Sequence, residues 1–203
     1  GRLVDGSAVR LGPETFGGGL QADLAAGRIA RVVVVGQGTA AVAGRAVAAA
    51  VEAELATTGI SVEAHPATEL SGFGLLPDMS DTLVVAISQS GTTTDTNRTV
   101  DLVRARGARV VAIVNRRNSD LINRADGVLY TSDGRDVEMS VASTKAFYCQ
   151  VVAGFLLAAA LADALGAPGA VDRSALLAAL ADLPSDMEAV LNLRDHIGDL
   201  ASR

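Results

Sequence analysis

The sequence predicts an α/β fold, a three-layer αβα sandwich around a five-stranded parallel sheet, and two observations indicate it. Short runs rich in valine and isoleucine recur along the chain, as expected for strands that are buried on both faces. Longer alanine-rich or polar stretches of helical composition separate these runs, and the connections between them are short. Strands and helices that alternate in this way are typical of a parallel sheet covered by helices on both faces.

The predicted elements follow in chain order. Three candidate strands are continuous apolar runs that stop at a glycine, a serine or an asparagine, and two are weaker. The strands are predicted over residues 31–35, 60–64, 82–87, 109–114 and 127–130. Helices are predicted over residues 20–26, 40–57, 94–106, 119–124, 143–165 and 173–193, and a Gly-Ala-Pro-Gly breaker divides the last two.

Length and composition set limits on the class of protein. The 203 residues suit one domain, which we place over residues 29–193. Residues 1–28 are then an N-terminal arm with a short helix, and residues 194–203 are a tail that would lead to a second module.

A net charge of −6 argues against a nucleic-acid groove, which needs clustered lysine and arginine. Cys149 is the only cysteine, which predicts a reducing compartment and hence a cytoplasmic protein.

One uncharged stretch is long enough to raise the question of a membrane. It covers residues 146–162 and reaches the lower edge of the length that a membrane span needs. It contains Gln150 and Gly154 and follows Lys145. We therefore predict a buried core or interface helix, with no membrane partner. Because its apolar residues lie almost all round the helix, we also expect burial against a partner subunit, as in a homodimer.

The loop after the third long strand carries the most information about function. Residues 88–96 read Ser-Gln-Ser-Gly-Thr-Thr-Thr-Asp-Thr and join a buried strand to a helix. Gly91 allows a tight turn, and the hydroxyls with the N–H groups of the first helical turn can converge on one anion. The alternative is that these residues only cap the helix and fill a turn. Several hydroxyls at the end of a central strand favour a phosphate site.

Three segments resemble a known family. Residues 88–96 are similar to the SQSGETADT loop of the sugar isomerase (SIS) domain. Residues 138–147 resemble its E-x-x-V-A-S-T-K-A-F motif, and residues 67–70 its A-S/T-E-F segment. The likeness runs from about residue 29 to about residue 191, and is greatest to the first of two SIS modules in glutamine–fructose-6-phosphate aminotransferases, also called glucosamine-6-phosphate synthases. It implies a flavodoxin-like sheet.

The resemblance also implies a ligand and a set of residues that bind it. The ligand would be a sugar phosphate such as fructose 6-phosphate or glucosamine 6-phosphate, with no cofactor and no metal. In this sequence the matching positions are Thr39, Ser88, Gln89, Ser90, Thr93, Val141 and Ser143. Ala40 stands where the family usually has a serine, so one sugar contact of the family is missing here.

The resemblance does not assign a catalytic residue to this chain. Isomerisation of a ketose phosphate needs a base that moves a proton between neighbouring carbons. In the family that base lies outside the first module, and by our alignment Ala53 occupies the equivalent position here. Glu52 and Glu54 flank it, and we expect both on a solvated helix face. The module would therefore bind the sugar phosphate while a second SIS module completes the reaction.

Two other functions remain open. The first is a non-catalytic domain that senses a sugar phosphate for an attached regulator. The second is a dinucleotide-binding domain, since Gly36, Gly38 and Ala41 fit the loose glycine fingerprint and Glu63 could bind a ribose. His65 and His196 are the only histidines, and neither belongs to a cluster of metal-ligand residues in the sequence.

Overall fold

A computed structural model describes residues 4–5, 8–9, 11–132, 144–169 and 172–202. Its centre is a five-stranded, all-parallel sheet in the order β4-β3-β5-β6-β7. The strands of this sheet are β3 (Arg31–Gly36), β4 (Ser61–Pro66), β5 (Thr82–Ser88), β6 (Arg109–Val114) and β7 (Gly127–Tyr130). Two short antiparallel strands, β1 (Val4–Asp5) and β2 (Ala8–Val9), precede it. The predicted α/β class and the number of parallel strands are confirmed.

Helices cover both faces of the sheet. The α-helices are α1 (Gly18–Ala25), α2 (Thr39–Glu54), α3 (Ala67–Glu69), α4 (Thr94–Arg104), α5 (Lys145–Ala164), α6 (Arg173–Leu191) and α7 (Arg194–Ala201). A π-helical turn, Leu70–Gly74, continues α3, and a 3₁₀ turn, Ile122–Arg124, occupies part of the predicted helix 119–124. The small hairpin, the π-helical turn and α7 were not predicted.

Two apolar layers hold the helices to the sheet. Side chains alternate along a strand, so Val34 and Val85 face one layer while Val33 and Val84 face the other. The first layer packs against α1, α2 and α5, and the second against α3 and α4. All seven residues of β5 are buried, as expected for the central strand. The three-layer sandwich therefore follows from valine-rich strands that are apolar on both faces.

Helix α5 is the long apolar helix that the composition indicated. Among the described residues it alone has the length and mean hydropathy, 1.7, that would let a helix cross a membrane, and 61% of that stretch is buried inside the domain. It packs closely on α2, because Gly154 of α5 faces Val47: a Cβ on Gly154 would stand 2.2 Å from Val47 Cγ2. The contact explains a glycine within this helix.

Ion pairs tie peripheral elements to the sheet. Asp23 of α1 is buried, and its carboxylate accepts hydrogen bonds from Arg109 Nε at 2.5 Å and from Arg28 Nε at 2.7 Å. These two guanidinium groups, Arg109 first, hold the pKa of Asp23 below its usual value of 3.8. Since Arg109 opens β6, this network fastens α1 against the amino-terminal edge of the sheet.

One expectation about a side chain is wrong. Glu54 was expected on a solvated helix face, but it is 4% exposed. Its Oε2 lies 3.5 Å from Arg173 Nη2, and the same guanidinium contacts Asp163 of α5. The structural reason is that α6 begins with Arg173 beside the end of α2, which the pattern of the helix alone does not show. Glu54 is therefore part of a junction between three helices.

Strand order places the loops that matter for function. Numbered by their order in the chain, the five parallel strands lie 2-1-3-4-5 across the sheet. The chain first adds β4 on one side of β3 and then adds β5, β6 and β7 on the other side, so the strand order changes direction between β3 and β5. Ligands of open α/β sheets bind beyond the carboxyl ends of the strands at such a switch point. Val35 pairs with Ala86, so the chain leaves β3 and β5 at the same level. The loops after Gly36 and after Ser88 therefore emerge side by side.

Candidate functional site

The 88–93 loop closes into a tight turn at the carboxyl end of β5. Ser88 is 2% exposed, and its Oγ accepts the Gly91 N–H at 3.0 Å. The same oxygen lies 3.3 Å from Thr93 Oγ1. Gly91 has φ +65°, the left-handed conformation that glycine adopts without a steric penalty. The turn therefore brings the hydroxyls at the two ends of the loop together.

Ser90 lies at the outer side of this loop and is half-buried. Its Oγ accepts two hydrogen bonds from Thr92, one from the backbone N–H at 3.2 Å and one from the hydroxyl at 2.9 Å. These bonds use the lone pairs of Ser90 and leave its own O–H to donate. An O–H donor is what the oxygen atoms of a phosphate accept.

Two helix N-termini point at the same edge of the sheet. Thr93 is the cap residue of α4 and Gly38 that of α2, and neither helix has a side-chain hydrogen bond at its cap. The first N–H groups of a helix lack intrahelical partners, and its dipole places partial positive charge there. The electrostatics of this edge therefore suit an anion without needing lysine or arginine.

The loop after β6 contacts the 88–93 loop directly. The Gln89 carbonyl oxygen accepts N–H groups from Asn115 and Arg116, both at 3.2 Å. Gly91 packs against Ser119 of the same loop so closely that a Cβ on Gly91 would stand 2.1 Å from Ser119 Oγ. Arg117 lies over the ring of Tyr130, 4.3 Å from its centroid. Hydrogen bonds and close packing from the loop after β6 therefore hold the 88–93 loop in place.

The predicted binding residues fall into two groups. Ser88, Gln89, Ser90 and Thr93 share one loop, and Thr39 begins α2 after the neighbouring strand, where it is half-buried. The structure therefore brings these five to one edge of the sheet. Val141 and Ser143, the other two residues that the resemblance indicated, lie outside the described residues.

Three polar side chains with enclosed atoms, at or beside the carboxyl-terminal edge of the sheet, were missed at the sequence level. Asn97 donates from Nδ2 to the Gly91 carbonyl at 3.2 Å. Within the described ranges, Asn97 Oδ1, Ser119 Oγ and Gln37 Oε1 are enclosed and have no hydrogen-bond partner. Polar residues beside serine- and threonine-rich loops look solvated in a sequence. The one available signal was that Asn97 follows Thr93 by four residues and so shares its helix face.

Glu52 and Glu54, the carboxylates that flank Ala53, lie far from the 88–93 loop. Glu52 and Glu54 stand near the end of α2, whereas Thr39 stands at its start. At 1.5 Å of rise per residue, thirteen residues separate Glu52 from Thr39 by about 20 Å. Asp95, on the first turn of α4, is exposed. No group of three or more metal-ligand side chains occurs in the portion of the chain that the structure describes.

An apolar cavity is a separate feature of the described residues. It has a volume of about 650 Å³ and lies between β7, α5 and the middle of α6. Apolar side chains make up most of its wall, including Val152, Leu156 and Leu183, and Lys145 also lines it. None of the predicted binding residues of the 88–93 loop lines it. The apolar wall of this cavity does not suit a phosphate anion, whereas the 88–93 loop carries hydroxyl groups.

Curated proteins of similar sequence are aminotransferases. The chain is 39% identical over 171 residues to the glutamine–fructose-6-phosphate aminotransferase of Corynebacterium glutamicum, covering 84% of this chain and 26% of that protein. It is 33% identical over 211 residues to the enzyme of the same name from Leifsonia xyli, covering 99% and 31%. The chain thus spans roughly a quarter to a third of the length of these relatives.

Solved structures of similar fold include the C-terminal domain of glucosamine-fructose-6-phosphate aminotransferase from Francisella tularensis. The TM-score is 0.80 at 22% identity, over 99% of this chain and 53% of that one. The Vibrio vulnificus NanR protein, solved in complex with ManNAc-6P, gives a TM-score of 0.56 at 21% identity, over 81% and 60%. At these identities the likeness concerns the fold. The family model described as the SIS domain matches residues 28–160, and the chain therefore belongs to the SIS domain family.

Proposed function

We propose that this chain binds the phosphate of a sugar phosphate, of the fructose 6-phosphate or glucosamine 6-phosphate type, at the 88–93 loop. The observation that carries the proposal is the 3.3 Å approach of the Ser88 and Thr93 hydroxyls at the N-terminus of α4. Thr93 does not cap its own helix with its side chain, so its hydroxyl and the first N–H groups can face one ligand. Thr39, Gln89, Ser90, Val141 and Ser143 are our other proposed contacts.

We further propose a role for the chain within a larger enzyme. Residues 29–193 would be the first SIS module of a phosphosugar isomerase or aminotransferase, residues 1–28 an arm, and residues 194–203 a tail towards a second module. The similarity to the aminotransferases supports this, as does the distance of Glu52 and Glu54 from the loop. The proton-transferring base would come from elsewhere in the assembly, which we expect to be a homodimer. A cytoplasmic location stays a prediction.

Calorimetry on this chain tests the binding proposal. We expect fructose 6-phosphate or glucosamine 6-phosphate to bind at least tenfold more tightly than fructose or glucosamine, because a phosphate dianion gains charge-assisted hydrogen bonds at the helix end. NAD is the control for the dinucleotide alternative, and we expect it to give no heat of binding. Equal affinity for the phosphorylated and the parent sugars would show that the loop is not a phosphate site.

A sensor domain is the second candidate, and it is favoured by the distance of Glu52 from the loop. Both candidates predict that the isolated chain binds the sugar phosphate but does not convert fructose 6-phosphate to glucose 6-phosphate. Turnover by the isolated chain would contradict both, since it would require a base within these residues. The gene beyond residue 203 separates the two: a second SIS module there supports the enzyme, and a helix-turn-helix on either side supports the sensor.

A further inference from the structure

Asn97 is a polar side chain held inside the domain beneath the 88–93 loop. It lies on the first turn of α4, four residues after Thr93, and it is 7% exposed. Its Nδ2 donates to the Gly91 carbonyl oxygen at 3.2 Å. The carbonyl can only accept, so the nitrogen of the side-chain amide must face it. Oδ1 is enclosed and has no partner within the described segments. An enclosed oxygen without a hydrogen bond lowers the free energy of unfolding, so Oδ1 of Asn97 does not stabilise the folded state.

The Gly91 peptide is the point at which three elements meet. Its carbonyl oxygen accepts a second hydrogen bond, from the Leu121 N–H at 3.0 Å, in the segment that follows β6. Its N–H donates to Ser88 Oγ at 3.0 Å, at the end of β5. Asn97 adds the bond to α4. The turn is therefore joined by hydrogen bonds to the strand before it, the helix after it and the neighbouring loop.

We propose that Asn97 is a positioning residue for the phosphate site. By holding the Gly91 carbonyl, it keeps the hydroxyls of the loop and the N–H groups of α4 in one arrangement. It touches no ligand itself, because its side chain is buried under the turn. The effect on affinity rests on the proposed function, whereas the effect on the shape of the loop does not.

The physical reason is the freedom of glycine. Gly91 has no Cβ, so its backbone is not confined to one conformation by its own sterics. If only a fraction of molecules holds the loop in the competent shape, the apparent dissociation constant rises by the inverse of that fraction. One hydrogen bond of ordinary net strength changes the ratio of the competent shape to the others by about three- to tenfold, and where the competent shape is the minor one its fraction changes by the same factor. That range is the weakening we expect when the Asn97 amide is removed.

The variant Asn97→Leu tests the proposal, with Thr96→Val as its matched control. Thr96 is the preceding residue and is 1% exposed, and its hydroxyl makes no hydrogen bond within the described segments. We expect Asn97→Leu to weaken binding of glucosamine 6-phosphate and of inorganic phosphate by about three- to tenfold. Thr96→Val should leave both affinities unchanged. The thermal midpoint should fall no further in Asn97→Leu than in the control, because leucine also removes the unpaired Oδ1.

Two outcomes would overturn the proposal. One is wild-type affinity in Asn97→Leu; the other is a loss of affinity that appears equally in Thr96→Val. Should the leucine overfill its site and prevent folding, Asn97→Ala removes the same amide without adding volume, and the same weakening is expected.

A second measurement separates this proposal from the proposed function. Amide hydrogen exchange in the ligand-free chain reports the loop directly. We expect Asn97→Leu to speed exchange at Gly91 and Leu121, whose N–H groups belong to the same junction, relative to Thr96→Val. If wild type binds no sugar phosphate but exchange at these amides rises, the proposed function fails and the positioning role stands. Unchanged exchange would refute the positioning role.

Discussion

The hydroxyl oxygens of Ser88 and Thr93 lie 3.3 Å apart, although one residue ends a buried strand and the other stands at the N-cap position of the following helix. The left-handed turn at Gly91 reverses the chain between them and so closes the loop. As a result, a strand end, a backbone turn and a helix N-terminus surround one point. Such a cluster stabilises an anion through hydrogen bonds and a helix dipole rather than through a cationic side chain.

Replacing Ser90 by alanine should weaken sugar-phosphate binding. The hydroxyl of Ser90 accepts from Thr92, so its proton is available to a ligand oxygen. A hydrogen bond to a charged group contributes about 1.5–3 kcal/mol, or roughly a ten- to hundredfold change in the dissociation constant. Calorimetry measures this. Ser61→Ala makes the same change at an exposed position on the opposite edge of the sheet and should have no effect. Unchanged affinity in Ser90→Ala would remove Ser90 from the site.

The Gly91→Ala substitution should destabilise the protein through a steric clash as well as through backbone strain. Its Cβ would stand 2.1 Å from Ser119 Oγ, whereas at Gly59, which has φ +76°, a Cβ would meet nothing within 4 Å. Left-handed backbone alone costs an alanine about 1–2 kcal/mol, and overpacking adds about 1–3. Urea unfolding of Gly91→Ala and Gly59→Ala therefore isolates the clash. An equal loss of unfolding free energy in the two variants would mean that Ser119 does not confine the turn.

The contact between α2 and α5 predicts a second difference between glycines. In Gly154→Ala the new methyl group would lie 2.2 Å from Val47 Cγ2, so the two helices must separate and we expect a loss of about 1–3 kcal/mol. In Gly198→Ala, on α7, the new methyl group meets nothing within 4 Å. Alanine has a higher helix propensity than glycine, so this substitution should raise the free energy of unfolding by up to about 1 kcal/mol. Thermal denaturation of both variants checks the opposite signs. A stabilised Gly154→Ala would contradict the close packing.

Asp23 should make the stability of the domain depend on acid pH. Hydrogen bonds from Arg109 and then Arg28 lower its pKa in the folded state below 3.8. The carboxylate therefore stabilises the folded state fully above about pH 3.8, and this contribution is lost as the pH falls through the lowered folded pKa. We expect Asp23→Asn to lower the unfolding free energy most near pH 7, and the deficit to shrink below pH 3.8.

A control separates this effect from a general effect of charge. Asp101 forms an ion pair with Arg124 at 2.9 Å, but its side chain is 58% exposed. Surface pairs contribute about 0–1 kcal/mol, so Asp101→Asn should change stability little. Denaturant unfolding at several pH values compares the two variants. A deficit in Asp23→Asn that stays constant with pH would show that its carboxylate is not the titrating group.

Some features of the site could be predicted because they are local. The apolar run of β5 and the serine and threonine residues after it are adjacent in sequence, and glycine in their midst indicates a turn. The resemblance to the SIS domain followed from the same stretch. Asn97 could not be predicted, because a polar residue on a helix is buried or exposed according to what packs against the helix. Glu54 was misjudged for the same reason, since its partner Arg173 is 119 residues away.

The sequence by itself determined the αβα class, the number of parallel strands and the position of the hydroxyl-rich loop. These depend on hydrophobic periodicity and on neighbouring residues, which the chain carries locally. Only the tertiary structure decided which loops meet. The order of the strands set the loop after β3 beside the loop after β5, and packing of the loop after β6 brought Ser119 and Leu121 to Gly91. Contacts between residues distant in the chain follow from how the strands assemble, and no short segment specifies that assembly.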